Sequence, residues 1–349
     1  MDNQDSQKPR RIRYKGTHPK AFKEKYKELQ PKQYAEDIEK VMLQGRTPAG
    51  MHRSICVSEI MEFLKIVPGQ IGLDATLGYG GHSLEILKCL LPGGRLYATD
   101  VDPFELPKTQ ERLSALGYGS DVLTIKKMNF SGIDLIADEA GPLNFVLADL
   151  GVSSMQIDNP ERGFSFKVDG PLDLRLNPKS GKSAAALLKT ISQNDLEELL
   201  LQNADEPHNE AIAKAIKISF AKGIDVVNTM QLQEIIKEAL HYLPHSMQKE
   251  EAKKACQRCF QALRIAINDE FGALEKFLEK LPDALATGGR VAILSFHSGE
   301  DRRVKKSFQN LNRLGIYSDV APDPIRPSAL ECNANPRARS AKLRWAIKA

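Results

Sequence analysis

Three acidic residues, each closing a short apolar run, hold the chemistry of this sequence: Asp74, Asp100 and Asp149. Asp74 opens the stretch DATLGYGGHS, whose Gly78, Gly80 and Gly81 permit a tight turn and a close approach of backbone to a ligand. Asp100 lies twenty residues past Gly80. A carboxylate at that offset can accept hydrogen bonds from both ribose hydroxyls of an adenosine cofactor. Two cofactors compete for such a turn. A dinucleotide asks for G-x-G-x-x-G, and Ser83 stands where the third glycine belongs. A carboxylate at Asp74 repels a pyrophosphate but suits a sulfonium or an amino-acid ammonium. The residues therefore favour S-adenosylmethionine over NAD, with a structural turn beside an unrelated surface Asp as the plain alternative.

Asp149 ends the run NFVLAD and is followed by LGVSSMQ. Ligands of open parallel sheets lie beyond the carboxyl ends of the strands, which puts Asp149 beside the cofactor. An exocyclic base amine is a poor nucleophile because its lone pair is delocalised into the ring. A carboxylate that holds the N–H groups can align the lone pair for in-line attack on a methyl group. Many amino-methyltransferases carry Asp/Asn-Pro-Pro-aromatic here, and this chain has neither the prolines nor the adjacent aromatic. Phe164 and Phe166 of ERGFSF are the nearest candidates to stack on a base, with core packing as an equal alternative. His297 in SFHSGED is a candidate proton shuttle or RNA contact, against a purely structural role. Arg264 and Asn268 share a helix face at i, i+4 and either face the site or brace the sheet. Cys256 and Cys259 form a lone CxxC inside a helical pattern, without two further ligands at zinc spacing. His208, His241 and His245 read as surface residues.

The elements that must position these residues follow from periodicity. Residues 71–75, 95–99, 122–126, 144–148 and 290–295 read as strands, and residues 83–91 and 105–116 as helices. Strands alternating with helices make a doubly wound, mostly parallel α/β sheet. Between Asp149 and Arg290 lie about 140 residues, where a crossover needs only a dozen or so. An all-helical domain is therefore inserted. Ser192 with Asp195 reads as a helix cap, residues 209–221 as a helix stopped by Gly223, and residues 229–242 as another. A long helix over 249–271 returns the chain to the sheet, its pattern running on towards Leu281. The expected organisation is a basic extension (1–50, with a helical stretch near 31–43), a first part of the main domain (51–162), the helical insert (163–257), and a second part with a basic C-terminal tail (258–349).

Composition sets the class. Apolar residues make up 42% and charged residues 27% of the 349, as in ordinary globular chains. No apolar run approaches ~18–20 residues, and the opening MDNQDSQKPRRIRYKG lacks a secretory apolar core. A cytoplasmic protein with reduced thiols and no membrane partner is expected. The net charge of +4 hides clustering: residues 1–27 hold nine Lys/Arg against three Asp/Glu. The last fourteen residues hold five basic groups and no acid, and Arg302, Arg303, Lys305 and Lys306 form a third cluster. Such clusters suit a polyanion such as nucleic acid, with solvated surface charge as the bland reading.

The segments MHRSICVSEIMEFL, LDATLGYGGHS, ATDVDP, LADLGVSSMQIDNPERGFSFKVDGPLDLRL, FQALRIAIND, GGRVAILSFHSGEDRRVKK and NPRARSAKLR run in that order over most of residues 51–349. Together they resemble the MraW family of small-subunit ribosomal RNA methyltransferases. The resemblance implies a class I, Rossmann-like methyltransferase fold. It implies methyl transfer from S-adenosylmethionine to the exocyclic N4 of a cytidine near the decoding centre. The partner would be small-subunit ribosomal RNA or the assembled small ribosomal subunit, and the enzyme a monomer or homodimer. Carried over residue by residue, cofactor binding falls on Gly80, Gly81, His82, Asp100, Phe130, Asp149 and Gln156, with the Phe130 ring against adenine. Asp149 and His297 are the catalytic candidates, and no metal is implied. The chain departs from the family at ADEPHNEAIAKAI, where a Gly-Glu-Glu segment with following basic residues is usual. It departs again at KKACQRC, at Gly299 and in the longer residues 1–50. These departures bear on the RNA target. A relative acting on another RNA site or a protein amine, and a non-catalytic RNA-binding factor, remain the alternatives.

Overall fold

A computed structural model describes residues 54–349, so the basic extension and its expected helical stretch lie outside the described residues. The chain enters through α1 (Val57–Leu64) and then alternates β1 (Ile71–Asp74), α2 (Gly81–Leu90), β2 (Arg95–Asp100), α3 (Glu105–Ala115), β3 (Leu123–Lys127), α4 (Ile133–Ala140) and β4 (Leu143–Asp149). The short α5 (Ser154–Asp158) follows. Next come α6 (Ala184–Thr190), α7 (Gln193–Ala204), α8 (Asn209–Ala221), α9 (Thr229–Ala239) and α10 (His245–Asn268). The chain closes through α11 (Glu270–Ala284), β5 (Leu285–Ser295), α12 (Ser298–Arg313), β6 (Tyr317–Val320), α13 (Ala329–Ala334) and β7 (Lys342–Lys348).

The sheet order is β3-β2-β1-β4-β5-β7-β6. Pairs among β1 to β5 are parallel, and β7 runs antiparallel to both β5 and β6. This is the doubly wound, Rossmann-like sheet expected from the sequence. Strand order reverses between β1 and β4, so the crevice beyond their carboxyl ends is where a ligand belongs. Successive side chains of a strand point to opposite faces, and β4 shows it: Phe145 and Leu147 enter one core, Val146 and Ala148 the other. Gly72 on β1 makes room for the first of these, since a Cβ there would sit 2.2 Å from the Phe145 ring.

Between β4 and β5 the helices build a core of their own, with Leu188, Leu196, Leu200, Ile212, Ile216, Leu232 and Ile236 inside it. Ser183, Ser192 and Asn228 cap α6, α7 and α9 by accepting backbone N–H groups. Cys256 and Cys259 are buried in this core.

Two expectations need correction. The return helix does not run unbroken towards Leu281: it ends at Asn268, and Asp269 adopts a left-handed φ of 49° before α11 begins. Arg264 bridges the break by forking onto Glu270 at 2.8 and 2.9 Å, so apolar periodicity continues across a real turn. The C-terminal basic run is not a tail either. It forms β7, between β5 and β6, where Lys342 and Arg344 pair with the buried Asp301. Among the described residues, no helix is long and apolar enough to cross a membrane.

Candidate active site

The turn after β1 is held from both sides. Leu77 N–H donates to the Thr99 carbonyl, and Thr109 donates its hydroxyl to the Gly78 carbonyl at 2.7 Å. Gly80 takes φ 75°, a left-handed conformation, and a Cβ there would meet Thr109 at 2.9 Å. At Gly81 a Cβ would lie 2.1 Å from Ser54 Oγ. Asp100, at the end of β2, reaches over this turn: Oδ2 accepts the Gly78 N–H and Oδ1 the Asp102 N–H, both at 2.8 Å. An ionised carboxylate has about four acceptor sites, so each oxygen keeps capacity for a hydroxyl donor.

Asp74 departs from its expected part. Its carboxylate accepts the Ser83 hydroxyl at 2.6 Å and the Thr76 N–H at 3.1 Å and is buried. It ties the end of β1 to the start of α2, so Ser83 is an anchor rather than merely an absent glycine. Asp74 influences the crevice by its field, not by contact.

Asp149 stands at the end of β4 beside this turn. Its N–H donates to Thr76 Oγ1 at 2.6 Å, and its Oδ2 lies 3.6 Å from His82 Nδ1. The residue keeps 29% of its surface, yet Oδ1 is closed to solvent and has no hydrogen-bond partner. Burial, opposed by His82 and reinforced by Asp74 and Glu300, pushes the Asp149 carboxyl up to about 6. Burial likewise raises Asp74 and Asp100 above the ordinary carboxylate range. Three carboxyls thus converge where negative charge is under-compensated.

Gln156 is pinned by its surroundings. In a capping box, Ser153 accepts the Gln156 N–H and Gln156 Oε1 accepts the Ser153 N–H. Its Nε2 donates to Asp102 Oδ2 at 2.7 Å. Arg162 donates to the same oxygen at 2.9 Å and also to the Arg175 and Leu176 carbonyls. Burial alone would raise Asp102; Gln156 and Arg162 hold its carboxyl below the usual range. Phe130 opens the turn after β3, edge-on to Phe277 with ring centres 5.3 Å apart.

His297 enters only indirectly. Its Nε2 lies 3.2 Å from Glu300 Oε1, a charge contact rather than an aligned hydrogen bond, and its ring leans on Phe271. Burial opposes the charge on Glu300, but His297, the Phe296 N–H and Arg264 hold that carboxyl low. Glu300 in turn acts on Asp149 through its charge. The structure brings the Gly80–His82 turn, Asp100 and Asp149 together, with Gln156 linked to them through Asp102. Phe164 and Phe166 lie elsewhere: both pack into the core of the helical insert, Phe166 edge-on to Phe260. Both rings serve that core. Arg264 serves Glu270, and Asn268 clamps the Leu174 carbonyl and the Leu176 N–H, so neither faces the site.

The family model for MraW methylases matches residues 49–349. The chain belongs to the MraW methylase family. Ribosomal RNA small subunit methyltransferase H 2 of Alkaliphilus metalliredigens is 70% identical over 349 residues, covering 100% of both chains. Ribosomal RNA small subunit methyltransferase H 1 of Lachnoclostridium phytofermentans is 64% identical over 348 residues, 100% of this chain and 95% of that one. Ribosomal RNA small subunit methyltransferase H of Halorhodospira halophila is 38% identical over 318 residues, 85% of this chain and 94% of that one. The first two therefore share the full length of this MraW methylase, its N-terminal extension included.

Sequence reasoning missed two residues of this MraW methylase site. Thr76 holds the Asp149 backbone, and Asp102 gathers Gln156, Arg162 and the N–H groups of Phe104 and Glu105. Asp102 had a signal, the second acid of ATDVDP just before a helix, where an Asp caps. Thr76 had none beyond its place in the turn.

Proposed function

We propose that this methylase transfers the methyl group of S-adenosylmethionine to the exocyclic N4 of a cytidine in small-subunit ribosomal RNA near the decoding centre, acting in the cytoplasm. The observation that carries it is the half-exposed, incompletely hydrogen-bonded Asp149 carboxylate beside a glycine turn and a strand-end Asp100. The residues fit the cofactor. Three carboxyls, Asp74 buried and Asp100 and Asp149 half-buried, all raised, form a site relieved by an incoming positive charge and made worse by a pyrophosphate. Bound there, S-adenosylmethionine supplies an electrophilic methyl group. Gly80, Gly81 and His82 would offer backbone to it, Asp100 would accept from its ribose and Phe130 would pack on its adenine, while Gln156 holds Asp102.

Asp149 supplies what the acceptor needs. Its half-exposed carboxylate accepts an N–H of the cytosine amine, restrains the rotation of that amine and turns its lone pair outward. The helices between β4 and β5, with their separate core, supply RNA recognition over residues 163–257. His297 and Glu300 shape the field at Asp149. The names carried by the relatives support ribosomal RNA as substrate.

The test is tritiated methyl transfer to small subunits from cells lacking the protein, with mass spectrometry of the labelled nucleoside. Labelled N4-methylcytidine, or its 2′-O-methylated form, is the expected product. Label in another nucleoside or in protein would refute the substrate. No label despite bound cofactor would refute the reaction.

A further inference from the structure

The resemblance places His82 among the cofactor ligands, but its ring is committed elsewhere. Nε2 lies 3.0 Å from the Ile55 carbonyl oxygen. A carbonyl only accepts, so Nε2 carries the proton and Nδ1 is left with a lone pair. That lone pair faces Asp149 Oδ2 at 3.6 Å, within ion-pair reach and too long for a formed hydrogen bond. Two acceptors face each other across the gap, the His82 ring 7% and the Asp149 side chain 29% exposed. Such a pair attracts only when one further proton lies between them.

We propose that His82 and Asp149 form one proton-accepting pair, in which His82 takes up, through Asp149, the proton that the acceptor amine releases on methylation. The inference rests on the reading that an amine is methylated at Asp149. The step balances. The amine lone pair bonds to the methyl carbon, the electrons of the broken bond stay with the donor, and the N–H proton passes to Asp149 and on to His82 Nδ1. A carboxylate beside an imidazolium remains, an attractive pair in place of a repulsive one. His82 touches neither substrate nor reacting atoms and acts through Asp149. The other groups that bear on the pair are acids or thiols: Asp74 from β1, Glu300 from α12 and Cys56 ahead of α1. The two carboxylates favour uptake of the proton; the Cys56 thiol, pushed up to about 12, stays neutral.

The test uses the full chain. With ¹⁵N-histidine labelling, His82 is expected as the Nε2–H tautomer; a proton on Nδ1 in the neutral ring would overturn the proposal. In His82→Gln, the Asp149 carboxyl titration followed by ¹³C NMR should move upward from about 6, because the opposing imidazolium is gone. An unmoved titration would show the two groups uncoupled. Single-turnover transfer to small subunits should fall about 100-fold at saturating substrates with the pH profile displaced. Calorimetric affinity for S-adenosylmethionine should stay within about threefold. Wild-type kcat with lost cofactor affinity would make His82 a cofactor ligand and nothing more. If the wild type labels no nucleoside amine, the amine reading fails, while the NMR coupling still judges the pair by itself.

Discussion

Asp149 carries a cost as well as a task. Its carboxyl is held at about 6 in the folded chain against 3.8 ordinarily. The folded state therefore binds more protons than the unfolded one between those values, and stability falls as pH rises through that window. That difference corresponds to roughly 2–3 kcal/mol of destabilisation at neutral pH. Asp149→Asn, which keeps the shape and removes the charge, should abolish methyl transfer while raising stability. Urea unfolding should show the gain at pH 7.5 and lose most of it by about pH 4. A variant no more stable than wild type at neutral pH would mean the carboxylate is not strained. Asp100→Ala should weaken cofactor binding by about 1.5–3 kcal/mol through lost charged hydrogen bonds; calorimetry reading unchanged affinity would remove Asp100 from the pocket. Both residues were legible because a strand end in a parallel sheet has one fate. Asp74 was legible in place but not in direction: nothing in DATLGYGGHS says that Ser83 will claim its carboxylate. Phe164 and Phe166 left core packing and base stacking both open for the same reason, since an aromatic near a site and an aromatic in a neighbouring core have the same letters.

At the level of elements, the joint between the cofactor edge and the helical insert is an ion pair. Asp102 and Arg162 are 1% and 9% exposed and 2.9 Å apart. Removing one partner leaves a buried charge without compensation, so Arg162→Met should cost about 3–5 kcal/mol. It should also free the Arg175–Leu176 backbone that Arg162 holds. Loss of stability on that scale in urea, with a lowered cofactor affinity through Gln156, is the expected pair of readings. A neutral result would show that the loop holds itself. Gly163, next in sequence, cannot be replaced: φ is 70° and a Cβ would meet the Pro171 carbonyl at 2.1 Å. β1 to β5, α2, α3 and α7 to α10 were legible from periods of two and 3.6, most bounds to within about three residues, whereas α1, α4 to α6, α12, α13, β6 and β7 were not read. The exceptions have physical causes. Asp269 breaks the return helix without disturbing its apolar repeat, and β5 begins at Leu285 through an exposed Thr-Gly-Gly stretch without strand signal.

Across the whole molecule, counted charge and available charge differ. Arg302, Arg303, Arg337, Lys342 and Arg344 each face a carboxylate, on Asp205, Glu275, Asp158 and Asp301. Sequence shows the basic residues but not these partners, which lie far along the chain. The N-terminal cluster, nine Lys/Arg against three acids in residues 1–27, is a further candidate for binding phosphate. Deleting those residues should weaken RNA association and flatten its dependence on log salt, by about 0.7–0.9 for each phosphate no longer neutralised. An unaltered slope would acquit that cluster. The placement of the insert has a further consequence, in time rather than space. β4 and β5 are neighbours in the sheet, yet β4 ends at Asp149 and β5 begins at Leu285. Their meeting requires closing a very long loop, whose entropy opposes the step and slows it. Helices that collapse early around Leu196, Ile212 and Ile236 would shorten that loop before the strands search for one another. An insert that folded first would serve as a scaffold during assembly, and damage to its interior should then slow the folding of a sheet it does not belong to.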